Sequence, residues 1–226
     1  MRKSLKQNDI LPFYANTKDN LHCVQAALRA VLKTSFPHKT YTYAYLDRVT
    51  NHEPGNGTWD SAMLLFLARS KFEVIYIAKF DYKRFARFGD AYLQSFWTDE
   101  IYQAQKKFSN FATEQKNAQK LIQNKSITVI HRSANIRDIK SLWRKKYFLM
   151  IPVNANVLDR ITGYASHMVL VTKITDTTIY FHDPGLPPIP NRRASIKRFM
   201  QAASYPDGKS ADIIAIRKMN IWKNFR

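Results

Sequence analysis

The chain has 226 residues, 45% of them apolar and 23% charged, a composition that excludes an intrinsically disordered chain and favours one globular domain over residues 1–226. Its 36 basic and 17 acidic residues give a formal charge of +19, spread along the sequence, which excludes a single basic tail. Such a charge favours anionic partners, namely nucleic acid, an acidic membrane surface or acidic peptides, although a solvated cationic surface that serves solubility explains it more simply.

The cysteine content and the hydropathy pattern indicate a cytoplasmic protein. Cys23 is the one cysteine, so no disulfide can form within the chain and a reducing compartment suffices. The N-terminal sequence MRKSLKQNDILPFY is basic but lacks the apolar run of a signal peptide. No window approaches ~18 consecutive apolar residues, so no membrane span is predicted.

The first part of the chain is predicted to be mainly helical. The sequence VQAALRAVL, residues 24–32, is dense in good helix formers and predicts a helix whose first turn contains Cys23. The polar residues 16–20 before it predict a loop with capping side chains. Apolar residues at helical spacing predict a second helix over residues 59–70, and the sequence EVIYIA predicts a strand over residues 73–78.

The middle of the chain, residues 82–125, is predicted to form amphipathic helix. The apolar positions that indicate it are Phe85, Phe88, Tyr92, Phe96, Ile101 and Phe108. A short strand over 126–130 and a short helix over 136–144 are predicted to follow.

The last part of the chain is predicted to be rich in strands. The β-rich runs cover residues 148–153, 168–174, 178–182 and 212–217. Asp176 and Thr177 are predicted to form the turn of a tight hairpin. A helical first half followed by a mostly antiparallel sheet is typical of an α+β fold.

Three residues in this arrangement indicate nucleophilic catalysis. Cys23 lies at a predicted helix N-terminus, where the helix dipole and free backbone N–H groups favour the thiolate. His167 begins one predicted strand and Asp183 ends the next, so an antiparallel hairpin places both side chains at one end of the sheet. An acid there can orient the imidazole that activates a nucleophile. Each residue alone has an ordinary structural explanation, and only the combination predicts an enzyme.

Longer segments resemble a known family. LPFYANTKDNLHCVQAALRAVL resembles the nucleophile region of the papain-like peptidases that process bacteriocin leaders at a double glycine, and more closely the bacterial domains related to them. GYASHMVLVTKI and TIYFHDPGLPP are similar to their Gly-His-Phe-Val-Val-Val strand and His-Asp-Pro-Gly turn, and EPGNGTWDSAMLLFLARSKFEV resembles their Gly-Thr-Trp segment. The resemblance extends over residues 11–199 and implies a papain-like fold, in which the nucleophile opens a helix packed on the sheet.

The resemblance also implies roles for individual residues. Cys23 corresponds to the nucleophile, His167 to the general base and acid, and Asp183 to the residue that orients the histidine. The family has an oxyanion-binding Gln six residues before the cysteine, where this chain has Thr17. Asn16 stands in the context YANT where the family has Tyr-Ala-Gln-Thr, so Asn16 is the implied donor together with the Cys23 backbone N–H. The implied activity is that of a cysteine hydrolase acting on a peptide or amide bond in a peptide or protein substrate, without a metal or other cofactor.

Two further functions stay open at this stage. The first is an inactive papain-like domain that binds an anionic partner, either an acidic protein or nucleic acid, as the charge and Thr17 would allow. The second is nucleic-acid binding through the basic and aromatic residues 79–92 and the basic residues 192–198. A helix with core aromatics and a solvated basic face explains the first of those stretches more simply. If the substrate cleft shares the overall charge, acidic substrates are expected.

Overall fold

The computed structural model describes residues 11–205 and 211–219, so residues 1–10 of the basic N-terminal segment lie outside the described part. The helices in these ranges are α1 Cys23–Ser35, α2 Tyr43–Thr50, α3 Asp60–Arg69, α4 Tyr82–Phe88, α5 Asp90–Phe96, α6 Asp99–Lys107, α7 Phe111–Gln123, α8 Ile136–Arg144, α9 Ala155–Asp159 and α10 Ile196–Ala203. The strands are β1 Phe72–Ala78, β2 Ile127–His131, β3 Phe148–Asn154, β4 Ser166–Ile174, β5 Thr178–Asp183, β6 Ile189–Ser195 and β7 Ile213–Lys218.

The seven strands form one sheet in the order β2-β1-β7-β3-β4-β5-β6. Strands β1 and β2 are parallel, and every other neighbouring pair is antiparallel. Strands β4 and β5 form a hairpin whose connecting turn contains the predicted Asp176 and Thr177. The structure therefore confirms the α+β fold with a mostly antiparallel sheet. That residues 1–226 form a single domain stays a prediction.

Both faces of the sheet are covered, which explains the continuous apolar sequence of β4. Met168 and Leu170 belong to a hydrophobic cluster shared with α1 and α3, whereas Val169 and Val171 belong to a cluster shared with α8 and α10. Because successive side chains of a strand point to opposite faces, a strand buried on both faces has no polar alternation. Helix α1 packs on β4, and this contact brings the start of α1 next to the start of β4.

The predicted elements of the first and last parts match the structure to within a few residues. The middle segment, residues 82–125, is helical as predicted and consists of four helices, α4 to α7. The chain breaks at Gly89, which has a φ of +53°, and again at Thr98 and Asn110, whose side chains cap α6 and α7. Two of the apolar positions that indicated helix, Phe88 and Phe108, are 49% and 39% exposed.

Four elements were not predicted from the sequence: α2, α9, β6 and α10. Strand β6 has the sequence IPNRRAS and lies at the edge of the sheet, where most of its side chains face solvent and no apolar pattern is needed. Helix α9 has five residues, too few for a helical period to show. Within the described ranges, no helix combines the length and the apolarity needed to cross a bilayer.

Candidate active site

Cys23 is the first residue of α1, at the positive end of the helix dipole. No acidic residue occupies the first turn of α1, so no carboxylate offsets that positive end. His22 is the N-cap residue, and its side chain makes no capping hydrogen bond. The Asn16 side chain instead stabilises the N-cap residue, because Asn16 Oδ1 accepts a hydrogen bond from the His22 backbone N–H at 2.6 Å. Asn16 thus helps to fix the loop that leads into the cysteine.

His167 and Asp183 meet at one end of the β4–β5 hairpin. His167 Nε2 lies 2.7 Å from Asp183 Oδ1, and both side chains are buried. Asp183 Oδ1 also accepts from the Gly185 backbone N–H at 3.1 Å. A Cβ at Gly185 would stand 3.4 Å from the His167 ring and 3.1 Å from Asp183 Oδ1, so the Gly of the His-Asp-Pro-Gly turn leaves room for this pair.

The same histidine interacts with Cys23. Since Asp183 occupies Nε2, the nitrogen left for the sulfur is Nδ1. Burial alone would raise the pKa of Cys23, but hydrogen bonding and Coulombic attraction from His167, with the backbone N–H groups of Met168 and Val24, lower the pKa of Cys23 below its usual value. Burial opposes protonation of His167 as well, yet Asp183 and the Cys23 thiolate raise the pKa of His167. The directions of both shifts favour a thiolate–imidazolium pair.

Arg192, on β6, forms an ion pair with Asp183. Its Nη1 donates to Asp183 Oδ2 at 2.7 Å, and its Nη2 donates to Asp159 Oδ1 at 2.5 Å. Burial raises the pKa of Asp183, but His167, Arg192 and the Gly185 N–H together lower the pKa of Asp183 to about 2. The sequence had assigned Arg192 only to a basic run that could contact phosphate. In the structure it binds two carboxylates instead, one of them in the site.

Asn16 lies near the nucleophile but not in the cavity wall, which at this point consists of Asn20 and Leu21. Asn16 Oδ1 accepts from two backbone N–H groups, which fixes its amide orientation, so Nδ2 must be the atom that donates to Asn20 Oδ1 at 2.9 Å. Asn20 therefore has its own Nδ2 turned away from Asn16. The predicted oxyanion role of Asn16 stays a prediction, and Asn20 is a second amide that the sequence did not single out.

A cavity of about 450 Å³ opens beside Cys23 and His167. Its other lining residues are Asn20, Leu21, Val24, Gly57, Thr58, Trp59, Asp60, Tyr76, Phe80, Tyr82, Phe96, Trp97, Ala104, Gln105, Phe108, Pro152, Tyr164, Ala165, Ser166, Met168 and Asp212. Among these described residues there is no Lys or Arg, although the chain has a formal charge of +19. The cavity does not share the overall charge, which was the condition for expecting acidic substrates.

One group of side chains next to the site has donor atoms that a metal could use. His22, Asp47 and His52 place one ligand atom each within 4.8 Å of one another. One hydrogen bond contributes to this arrangement, since His22 Nδ1 lies 2.6 Å from Thr17 Oγ1. His22 Nε2 lies 3.3 Å from Asp47 Oδ1, a charge contact and not a hydrogen bond. The group thus forms a polar network that supports the start of α1. The absence of a metal stays a prediction from the sequence.

Comparison with solved structures gives five matching chains. One is the peptidase domain of Streptococcus ComA, a bi-functional ABC transporter involved in quorum sensing. The two chains are 14% identical, the match covers 92% of this chain and 99% of that domain, and the TM-score is 0.49. No protein-family model matches the sequence, and no curated protein does.

Proposed function

We propose that this protein is a cysteine hydrolase that cleaves a peptide or amide bond by acyl transfer. The main support is one contact: the sulfur of Cys23, at the start of α1, interacts with an imidazole that Asp183 holds from its other side. In this proposal Cys23 is the nucleophile, His167 is the general base and acid, and Asp183 orients the ring. The single cysteine favours a reducing compartment, and we keep the cytoplasm as the proposed location.

The proposed reaction has two steps. The Cys23 thiolate attacks the carbonyl carbon, and the C–N bond breaks while the His167 imidazolium gives its proton to the leaving nitrogen. A water molecule then attacks the thioester, His167 accepts a proton from that water, and the C–S bond breaks to release the acid and the thiolate. The oxyanion of each tetrahedral intermediate would be bound by the Cys23 backbone N–H and by a side-chain amide, for which Asn16 and Asn20 are the candidates.

An electrophilic activity-based probe for cysteine hydrolases tests the proposal directly. Because the chain has one cysteine, labelling adds a single mass increment whose site is unambiguous. We expect wild-type protein to be labelled at neutral pH, Cys23→Ala not to be labelled, and His167→Ala to be labelled at least about a hundredfold more slowly. His131→Ala is a matched control, since His131 is exposed and lies outside the cavity. Equal labelling of His167→Ala and wild type would contradict the proposal and favour an inactive binding domain.

A further inference from the structure

The cavity beside the nucleophile contains two carboxylates that the proposed reaction does not use. Asp60 begins α3 and Asp212 precedes β7, so residues distant in sequence meet in one cavity. The charge of Asp60 acts on Asp212, and the two are called the acidic pair below. Tyr82 donates its hydroxyl to Asp60 Oδ1 at 3.1 Å, and the backbone N–H of Lys79 donates to Asp212 Oδ1 at 3.2 Å.

Within the described residues, the wall of this cavity has no Lys or Arg beside the acidic pair, and the nearest cation known to act on it is Lys79, which affects Asp212. Burial raises the pKa of Asp60. Burial and the charge of Asp60 together raise the pKa of Asp212 to about 8, although the Lys79 ammonium opposes this shift. The described lining of the cavity contributes no Lys or Arg to these carboxylates. Carboxylates removed from water without a matched cation are unfavourable, and a pKa of about 8 leaves Asp212 mostly protonated at pH 7. A cation that enters the cavity favours ionisation of Asp212 and then gains from both carboxylates.

Aromatic rings form much of the remaining wall. The rings are those of Trp59, Tyr76, Phe80, Tyr82, Phe96, Trp97, Phe108 and Tyr164. Trp59 packs edge-on against Phe80 and Trp97, with ring centroids 6.1 Å and 5.7 Å apart. Aromatic faces attract cations, and the methylene stem of a long basic side chain packs well against such rings. A volume of about 450 Å³ is within the range of pockets that accommodate a ligand group of this size.

We infer that this cavity is a specificity pocket for a basic side chain, lysine or arginine, of the residue next to the bond that is cleaved. This inference rests on the proposed function for the identity of the neighbouring bond. The ammonium or guanidinium group would lie between Asp60 and Asp212, and its aliphatic stem would pack on the aromatic wall. The preference is opposite to the one that the net charge of the whole chain suggests, because the local carboxylates act at contact distance and are screened less than charges on the exposed surface.

Binding to the unreactive Cys23→Ala variant tests the pocket apart from catalysis. The probes are N-acetyl-lysine methylamide and N-acetyl-norleucine methylamide, which differ mainly in the terminal charged group, and tryptophan fluorescence reports binding because Trp59 and Trp97 line the cavity. We expect the lysine compound to bind at least about tenfold more tightly. In the added background of Asp60→Asn or Asp212→Asn the ratio should fall to about threefold or less, whereas the exposed Asp176→Asn control should retain it. Equal affinity of the two compounds for Cys23→Ala would overturn the inference.

A second measurement separates failure of the pocket from failure of the proposed function. Wild-type protein is treated with two peptidyl acyloxymethyl ketones, with lysine or norleucine beside the electrophile. Faster labelling of Cys23 by the lysine probe supports both proposals, whereas equal rates overturn the pocket alone. Absence of labelling by either probe, together with a lysine preference in the binding assay, overturns the hydrolase and retains the pocket. Melting curves of the two Asn variants identify a loss that is due to unfolding.

Discussion

Arg192 allows the stabilisation by a buried ion pair to be compared with that by an exposed one, because its side chain has a buried partner and an exposed partner. It contacts Asp183, whose side chain is 6% exposed, and Asp159, whose side chain is 44% exposed. Replacement by methionine keeps much of the packing volume and leaves Asp183 as a buried carboxylate without its cation. Breaking a buried ion pair in this way costs about 3–5 kcal/mol. Since Arg192 is itself 16% exposed, we expect about 3 kcal/mol for Arg192→Met.

Asp159→Asn is the matched control, because it removes the other half of the same network. Its exposed ion pair is screened by water, so we expect a loss below about 1 kcal/mol. Urea unfolding at pH 7 gives the free energy of unfolding of each variant, and a thermal scan should show a decrease of about 6–12 °C in Tm for Arg192→Met. If Arg192→Met loses no more stability than Asp159→Asn, the buried contact with Asp183 does not stabilise the fold and the reasoning is wrong.

The pH dependence of stability tests the same contact independently. The folded protein lowers the pKa of Asp183 from 3.8 to about 2, which corresponds to about 2.5 kcal/mol. Because the folded pKa is lowered, this stability is fully present above pH 3.8 and is lost as the pH falls through about 2. In Arg192→Met the pKa of Asp183 should be lowered less, so the variant should lose less stability than wild type over this acid range.

Three further predictions concern the nucleophile, the oxyanion site and a buried carboxyl group. Alkylation of Cys23 by iodoacetamide should reach half its maximal rate below the pH of an ordinary thiol, and His167→Ala should raise that midpoint because it removes the hydrogen bond and the charge that lower the pKa of Cys23. Asn20→Ala should lower kcat by about 10²–10³-fold with little change in KM if Asn20 is the oxyanion donor, whereas a larger loss in Asn16→Ala would assign that role to Asn16. Burial raises the pKa of Glu114 from 4.5 to about 7, so its ionisation destabilises the fold as the pH rises through this range. Glu114→Gln should therefore be about 3 kcal/mol more stable than wild type at pH 8 and similar at pH 4, as measured by urea unfolding.

The sequence was sufficient to predict the elements that contain the proposed catalytic residues. A dense helical stretch after Cys23 and two apolar strands around a turn are local patterns, and they predict α1, β4 and β5 without knowledge of the rest of the fold. The ends of those elements then follow, and with them the positions of His167 and Asp183. The order of β7 between β1 and β3 could not be predicted, because strand order depends on packing between distant segments.

The residues that sequence reasoning missed depend on such distant contacts. Arg192 reaches Asp183 only because β6 pairs with β5, and β6 has no apolar pattern that identifies it as a strand. Asp60 is an ordinary acidic residue in the first turn of a helix, where it is favoured by the helix dipole. Nothing near it in the sequence indicates that Asp212, about 150 positions later, lies in the same cavity. The fold is needed to recognise the acidic pair.

The charges at the proposed catalytic centre alternate in sign along a chain of contacts. In the proposed thiolate–imidazolium state Arg192 is positive, Asp183 negative, His167 positive and Cys23 negative, so each of these charges has at least one neighbour of opposite sign and the four sum to zero. A neutral, buried set of this kind is weakly coupled to the exposed surface charges, because water and salt screen them over about 10 Å. The basic exterior therefore has little influence on the reactivity of the thiol. Under the proposal above, the local selection of a basic side chain would come from the acidic pair and not from the net charge of the exterior.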